Sequence, residues 1–382
     1  MRLPTIRPRF LPGLALLLAS GSCIGDQTGK LIDAQSLHTD ATASPEIDGG
    51  LGERLYPGEK ALAQEMAQVI EESIRKEYRR ETARRDAHPK AHGCVRAEFR
   101  IADTLSDNLS QGIFSAGTTY QAWIRFSNGS KNATRADRKG DARGMAIKVL
   151  GIPGKTLLKG ERQVATQDFI LISHPVFFAN DPRRYLSMIR NVSRDTASGK
   201  LAIPFSLGLK GSLIALKTTS KKISNPLQTR YWSTVPYQLG AGSGRLAVKY
   251  SARACSTAVD PMPANPGDNF LRDALRATLQ KGDACMEFLV QPRTSESLDI
   301  EDAMTEWKEA DAPFYRVATI RIPQQTFDTP EQNLICENLA FNPWHTLPEH
   351  KPLGVTNRLR KVIYAHISRV RHEMNSAQGH KP

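Results

Sequence analysis

Three runs of alternating apolar and polar residues follow one another early in this 382-residue chain, and they limit its fold more than any other feature. In the first, Val95, Ala97, Phe99 and Ile101 share one face. The other two lie in YQAWIRFSNGSKNATRADRKGDARGMAIKVLG, residues 120–151, joined by a polar loop. A period of two is the pattern of a half-buried strand. Further strands are expected at residues 169–172, 231–239 and 245–252. Residues 269–293 read as helix, Gly-Asp turn and strand, and residues 299–328 as an acidic helix and a last strand. Strands separated by turns, with helices inserted late, predict an α+β chain built on an antiparallel β-barrel with flanking helices.

Two helices are expected to flank the strands. The first covers residues 58–85, with Leu62, Met66, Val69, Ile70 and Ile74 on its apolar face. The second covers residues 354–374, with Leu359, Val362, Ile363, Ile367 and Val370 at helical spacing and Thr356 or Asn357 as cap. Arg360, Tyr364 and Arg371 fall along one stripe of it. A guanidinium next to a phenol favours the tyrosinate form, which suits an anionic metal ligand.

The net charge is +13, from 52 Lys and Arg against 39 Asp and Glu. Those charges are dispersed except in residues 74–85 and the last helix, and no zinc knuckle, helix-turn-helix or RNA-binding signature accompanies them. Solvated basic faces are therefore expected, with no nucleic-acid partner. Arg2, Arg7 and Arg9 precede a short apolar run ending at Ala19, then SGSC ending at Cys23. That pattern predicts a signal peptide over residues 1–23 and export to the periplasm or cell envelope. Cys23 is a candidate for acylation and a lipid anchor, although Ser20 replaces the usual aliphatic residue. A flexible tether over residues 24–55, one domain over 56–376 and a tail over 377–382 complete the organisation. Cys94, Cys255, Cys285 and Cys336 form no C-x-x-C pair. Disulfides and four buried free thiols both remain open for them.

Several segments together resemble the catalase family. LAFNPWHTLPEH, residues 339–350, followed by the Arg360-x-x-x-Tyr364 helix, resembles the proximal haem segment of catalases. RDAHPKAHGCVRAEFRI, residues 85–101, resembles the family's distal segment. "IRFSN", a polar loop and "DARGMAIKV" resemble the paired strands that follow it, and residues 164–189 resemble the run around the family's central proline, here Pro175. The resemblance covers about residues 85–371 and implies the catalase-like barrel with a C-terminal haem-ligating helix, haem b as cofactor and a peroxide as substrate.

Residue by residue, the resemblance makes Tyr364 the iron ligand, Arg360 its ion-pair partner and His88 the distal acid–base group, with His92 as runner-up. Ser127 would orient His88. Arg85, Arg125 and Arg371 would bind haem propionates, and Phe178 would shape the pocket. A histidine beside bound peroxide can take a proton from one oxygen and return it to the other. The pair His88 and His92 is also conceivable as metal ligands, but Pro89 and Gly93 argue against the helix this needs. The chain departs from the family where its distal asparagine falls, which is Ile172 here, with Ser173 the neighbouring hydroxyl. Hydrogen peroxide disproportionation is the activity implied. A haem peroxidase, an enzyme converting organic hydroperoxides and a non-enzymatic haem-binding envelope protein are its rivals.

Overall fold

A computed structural model describes residues 47–158 and 165–377, all within the unit that begins at Ala34. The expected signal peptide, Cys23 and most of the expected tether and tail lie outside the described residues. Nine strands form one antiparallel sheet: β1 Ala91–Ile101, β2 Thr119–Asn128, β3 Arg143–Leu150, β4 Thr166–Ile172, β5 Tyr231–Trp232, β6 Tyr237–Leu239, β7 Leu246–Ala254, β8 Ala284–Pro292 and β9 Tyr315–Ile322. Their order is β5-β4-β3-β2-β1-β9-β8-β7-β6, and β5 also pairs with β7. That pairing closes eight strands into a barrel. β6 prolongs β5 along the same edge of β7 after a break at Thr234, whose φ is 64°. Closure removes the free edges that would otherwise invite another strand.

The alternation seen in the sequence decides what fills the barrel. Phe99, Phe169, Tyr250 and Phe288 point inward and are fully buried, with Phe169 4.6 Å from Phe288 and 4.9 Å from Tyr250, ring centre to ring centre. Each such ring contributes on the order of 1.5–3 kcal/mol by leaving water. The interior is packed side chains, not a channel.

Among the described residues six α-helices surround the barrel: α1 Glu59–Glu77, α2 Pro182–Arg194, α3 Ala197–Ser220, α4 Phe270–Lys281, α5 Pro330–Asn338 and α6 Val355–Ala377. Helix α1 ends eight residues short of the expected Arg85. Met66, Ile70 and Ile74 of α1 pack with Leu186 and Ile189 of α2 and with Leu359, Ile363 and Ile367 of α6 in a second apolar cluster. The acidic helix expected near residues 299–312 is not formed. Asp299 accepts from Glu301 N at 3.0 Å and Asp302 from Met304 N at 2.8 Å, so these side chains cap turns instead of leaving the amides to a helix. Helices α2 and α5 each begin with a capping residue followed by proline, Asp181-Pro182 and Thr329-Pro330, a start signal the apolar pattern did not reveal.

The four cysteines, left open between free thiols and disulfides, form the disulfides Cys94–Cys336 and Cys255–Cys285. The tether does not extend to residue 55, because Asp48 binds Arg245 and Glu53 is 3% exposed. Glu53, Glu59 of α1 and Glu301 all accept from Arg358 in the first turn of α6, at 2.6, 2.7 and 3.2 Å. Arg358 is itself buried, so this network locks the start of α6 against three other parts of the chain. Removing one partner of a buried ion pair leaves the other charges without water. Arg358→Ala is accordingly expected to lower the unfolding free energy by about 3–5 kcal/mol, measured by chemical denaturation; a loss below about 1 kcal/mol would contradict it.

Buried histidines set the response to acid. His350 receives a hydrogen bond from Ile113 N at Nε2, 3.0 Å, which requires a neutral ring, and its Nδ1 lies 3.1 Å from the Tyr250 hydroxyl. His92 sits 2.9 Å from Asn128 Oδ1. Burial pushes both imidazoles down to about 3. Below the ordinary value of about 6.5, the unfolded chain binds three protons that the folded chain refuses, because burial likewise pushes His88 down to about 3. Asp86, pushed up to about 6 by burial, works in the opposite sense with one. The net of about two protons between pH 6 and 4 means stability falls as pH falls, by about 2.7 kcal/mol per unit. Denaturation midpoints at pH 6, 5 and 4 measure this, and a midpoint that rises on acidification would refute it.

Candidate active site

A cavity of about 1000 Å³ of empty space lies between the outer face of β2–β4 and the layer formed by α1, α2 and α6. Its floor follows from strand alternation. On β2, Ile124 and Phe126 fill the barrel, so Arg125 and Ser127 face the cavity. On β3, Met145 and Ile147 belong to the core, while Gly144 and Ala146 lie on the cavity side. Arg125 pairs with Ala146 and Ala146 with Ile170, and Ser127 pairs with Gly144. Two small residues in the middle of that floor make the room.

The segment before β1 brings His88 over this floor. Its φ of 63° is uncommon for a residue with a side chain. Two neighbours hold it there: Arg125 donates to the His88 carbonyl at 2.7 Å, and Ser127 Oγ lies 3.0 Å from His88 Nδ1. The imidazole rests directly on Gly144. A Cβ at that position would come within 2.5 Å of His88 Nδ1 and 2.8 Å of Ser127 Oγ, so only glycine fits. Burial, reinforced by Arg125, Arg360 and Arg85, pushes His88 down to about 3. The ring is neutral at ordinary pH and able to accept a proton.

Arginines gather at the same cavity. Arg85 and Arg371 both donate to Glu337 Oε1, at 3.1 and 2.7 Å. Arg125 is 3% exposed, and burial together with Arg85 holds its guanidinium well below the usual arginine range. Its Nε has no hydrogen-bond partner among the described residues. Two of the three guanidinium groups thus share the Glu337 carboxylate, while Arg125 donates to the His88 carbonyl, and gathering them in a shielded place is costly unless further anions complete the arrangement. A planar ligand carrying two carboxylates, as haem does, fits this donor set. Among the described residues no group of three or more His, Cys, Asp or Glu is placed to hold a bare metal ion.

Helix α6 supplies the other wall through Ile363, Tyr364, Ile367, Ser368 and Arg371. Of the residues expected at the site, His88, Ser127, Arg85, Arg125, Tyr364 and Arg371 all line this one cavity. Arg360 and Phe178 do not. The Arg360 guanidinium lies over the Phe177 ring at 5.4 Å and approaches Asn357 Oδ1 at 3.5 Å, with no hydrogen bond to Tyr364. Phe178 packs against Phe177 and Tyr185, and it is Tyr185 that reaches the cavity. His92 is turned away toward Asn128 and Asp137, which ends both its distal role and the paired-histidine metal site. Ser173 is buried, its Oγ accepting from Arg143 N at 3.0 Å, so it offers the cavity no substitute for the missing amide. Asp86, Gly144, Tyr185, Glu337 and Phe341 contribute without having been expected. Gly144 was legible as the glycine inside an otherwise apolar strand; the others carry no local signal.

A family model described as Catalase matches residues 57–202. Among curated protein sequences, none matches. Several solved catalases share the fold. A fungal catalase aligns with TM-score 0.60 and 18% identity, over 79% of this chain and 62% of that one. Catalase A from Saccharomyces cerevisiae gives 0.59 and 18%, over 78% and 63%. A bacterial catalase gives 0.56 and 15%, over 88% and 65%. The chain thus spans less than two thirds of the length of each of these three catalases. It shares their fold, a closed barrel with a layer of helices, and residues 57–202 match the Catalase family model.

Proposed function

We propose that this protein is a haem enzyme acting on peroxides, with hydrogen peroxide disproportionation as its reaction. The observation that carries the reading is the meeting of a neutral imidazole, a phenol and an under-compensated arginine cluster in one cavity. Arg85, Arg125 and Arg371 would hold the two propionates, and Tyr364 would ligate the iron from α6. Bound haem would supply the redox-active group that gives two electrons to one peroxide, reducing it to water, and takes two from a second, which leaves as oxygen. The protein's own part is proton handling. His88 accepts the proton from one peroxide oxygen and delivers it to the other, so that water leaves. Ser127 and the Arg125 hydrogen bond to the His88 carbonyl keep the ring in position for both transfers. The apolar walls of Ile70, Ile170, Ile363 and Ile367 limit the water that can compete.

One observation favours a second substrate. With Ile172 in place of an amide and Ser173 bound to the backbone, the distal side offers His88 little polar company for a small peroxide. An organic hydroperoxide, whose apolar part those walls can hold, is the alternative. Export, an envelope location and acylation of Cys23 belong to the same proposal.

Tyr364→Phe, purified with ample haem, is expected to lose the tyrosinate-type ferric spectrum of the wild type; an unchanged spectrum would remove Tyr364 as ligand. His88→Ala is expected to keep haem but lose about 100-fold or more in peroxide turnover. Retention of all measurable function by that variant would instead favour a haem-binding protein without catalysis. Gly144→Ala should also bind haem yet turn over at least about tenfold more slowly, because the added methyl displaces His88. Oxygen release compared with consumption of a fatty-acid hydroperoxide separates the two substrates.

A further inference from the structure

Helix α3, outside the cavity, shows a face that nothing in the described chain covers. Leu201, Phe205, Leu209, Leu213 and Leu216 are 75%, 87%, 80%, 51% and 63% exposed. Leu201 and Phe205, before Gly208, are four residues apart, and Leu209, Leu213 and Leu216, after it, are four and three apart, so each half of the helix presents its own exposed apolar face. The opposite face is fastened down. Ser206 Oγ lies 2.9 Å from Ser187 Oγ and accepts from Asn191 Nδ2, and Gly211 rests so close to the Phe178 carbonyl that a Cβ would come within 2.7 Å. The helix bends at Gly208, whose backbone is non-helical at φ 69° and ψ 178°. Among the described residues this is the one helix long and apolar enough to cross a membrane, but only 22% of it is buried and its inner face is held along the protein surface. An apolar patch of this kind on a soluble surface marks an interaction site.

Charge identifies the occupant. No Asp or Glu occurs between Asp195 and Asp260, while Lys200, Lys210, Lys217, Lys221 and Lys222 all fall in this stretch. Lys200 pairs with Asp195 and Lys210 reaches Asp302 at 4.0 Å, whereas Lys217 and Lys222 have no ion-pair partner among the described residues. A second copy docked through the same face would bring lysines against lysines. A membrane surface bearing anionic headgroups satisfies both features, taking the exposed apolar residues between its acyl chains and the ammonium groups at its phosphates. We infer that α3 is a membrane-docking helix that lies in the plane of an anionic lipid surface. This inference stands independently of the catalytic proposal.

The test uses the full chain, haem-loaded, with vesicles of phosphatidylglycerol and phosphatidylcholine or of phosphatidylcholine alone. Binding to the mixed vesicles is expected to exceed binding to the neutral ones at least about tenfold, as two or more surface lysines would provide. Phe205→Trp reports the helix itself: its added indole emission should be quenched by brominated phosphatidylglycerol, which attachment through any other segment would not produce. Leu209→Glu with Leu213→Glu should abolish that quenching while leaving the thermal midpoint and the haem spectrum unchanged. Absence of quenching, or equal quenching by neutral vesicles, overturns the inference. So does a dimer in solution that the double glutamate variant dissolves, since that assigns the exposed apolar residues to a second copy.

Discussion

The guanidinium of Arg358 reaches Glu53, Glu59 and Glu301, carboxylates from three separate parts of the chain, inside a region closed to water. One fixed positive charge with three negative partners is satisfied only when the segment before α1, the start of α1, the turns before β9 and the first turn of α6 are all in place. Helix α6 leaves that anchor in a set direction. Tyr364 and Arg371 then fall, nearly two and three to four turns later, against the cavity. The accuracy of the cavity's far wall is inherited from a network that lies outside it.

Opposite that wall, the barrel contributes a surface that ordinary strand packing would have filled. Alternation sends Ile124, Phe126, Met145 and Ile147 inward, and the outward positions beneath the cavity are Arg125, Ser127, Gly144 and Ala146. The closed barrel holds these strands rigidly, so the small residues stay a recess instead of collapsing. His88 and the arginines then occupy its rim. The arginines' positive charges are gathered at a cost that Glu337 offsets only in part.

Much of this was legible in the sequence because it rests on short-range periodicity. The strands β1 to β4 and the apolar faces of α1 and α6 follow from residues two, three and four apart. Placing His88, Ser127, Arg125, Tyr364 and Arg371 together required the resemblance, since no local rule brings residue 88 to residue 364. The failures share a cause as well. Asp299 and Asp302 chose turns because side chain competed with backbone, the disulfide Cys94–Cys336 joins residues far apart in the chain, and Arg360 found an aromatic ring in place of the phenol. Tyr185 and Glu337 become part of the cavity only through how α2 and α5 dock, which depends on partners distant in the chain.

The disulfide between Cys94 and Cys336 spans 242 residues and ties the strand next to His88 to the helix that carries Glu337. The two sides of the cavity are thus drawn from early and late in the polypeptide, and during synthesis the first waits for the second. Until α5 and α6 have emerged, Arg85, His88 and Arg125 have no wall to face and no carboxylate to meet. Completion of the cavity is therefore a late event in the life of each molecule, following synthesis of the whole chain rather than guiding it.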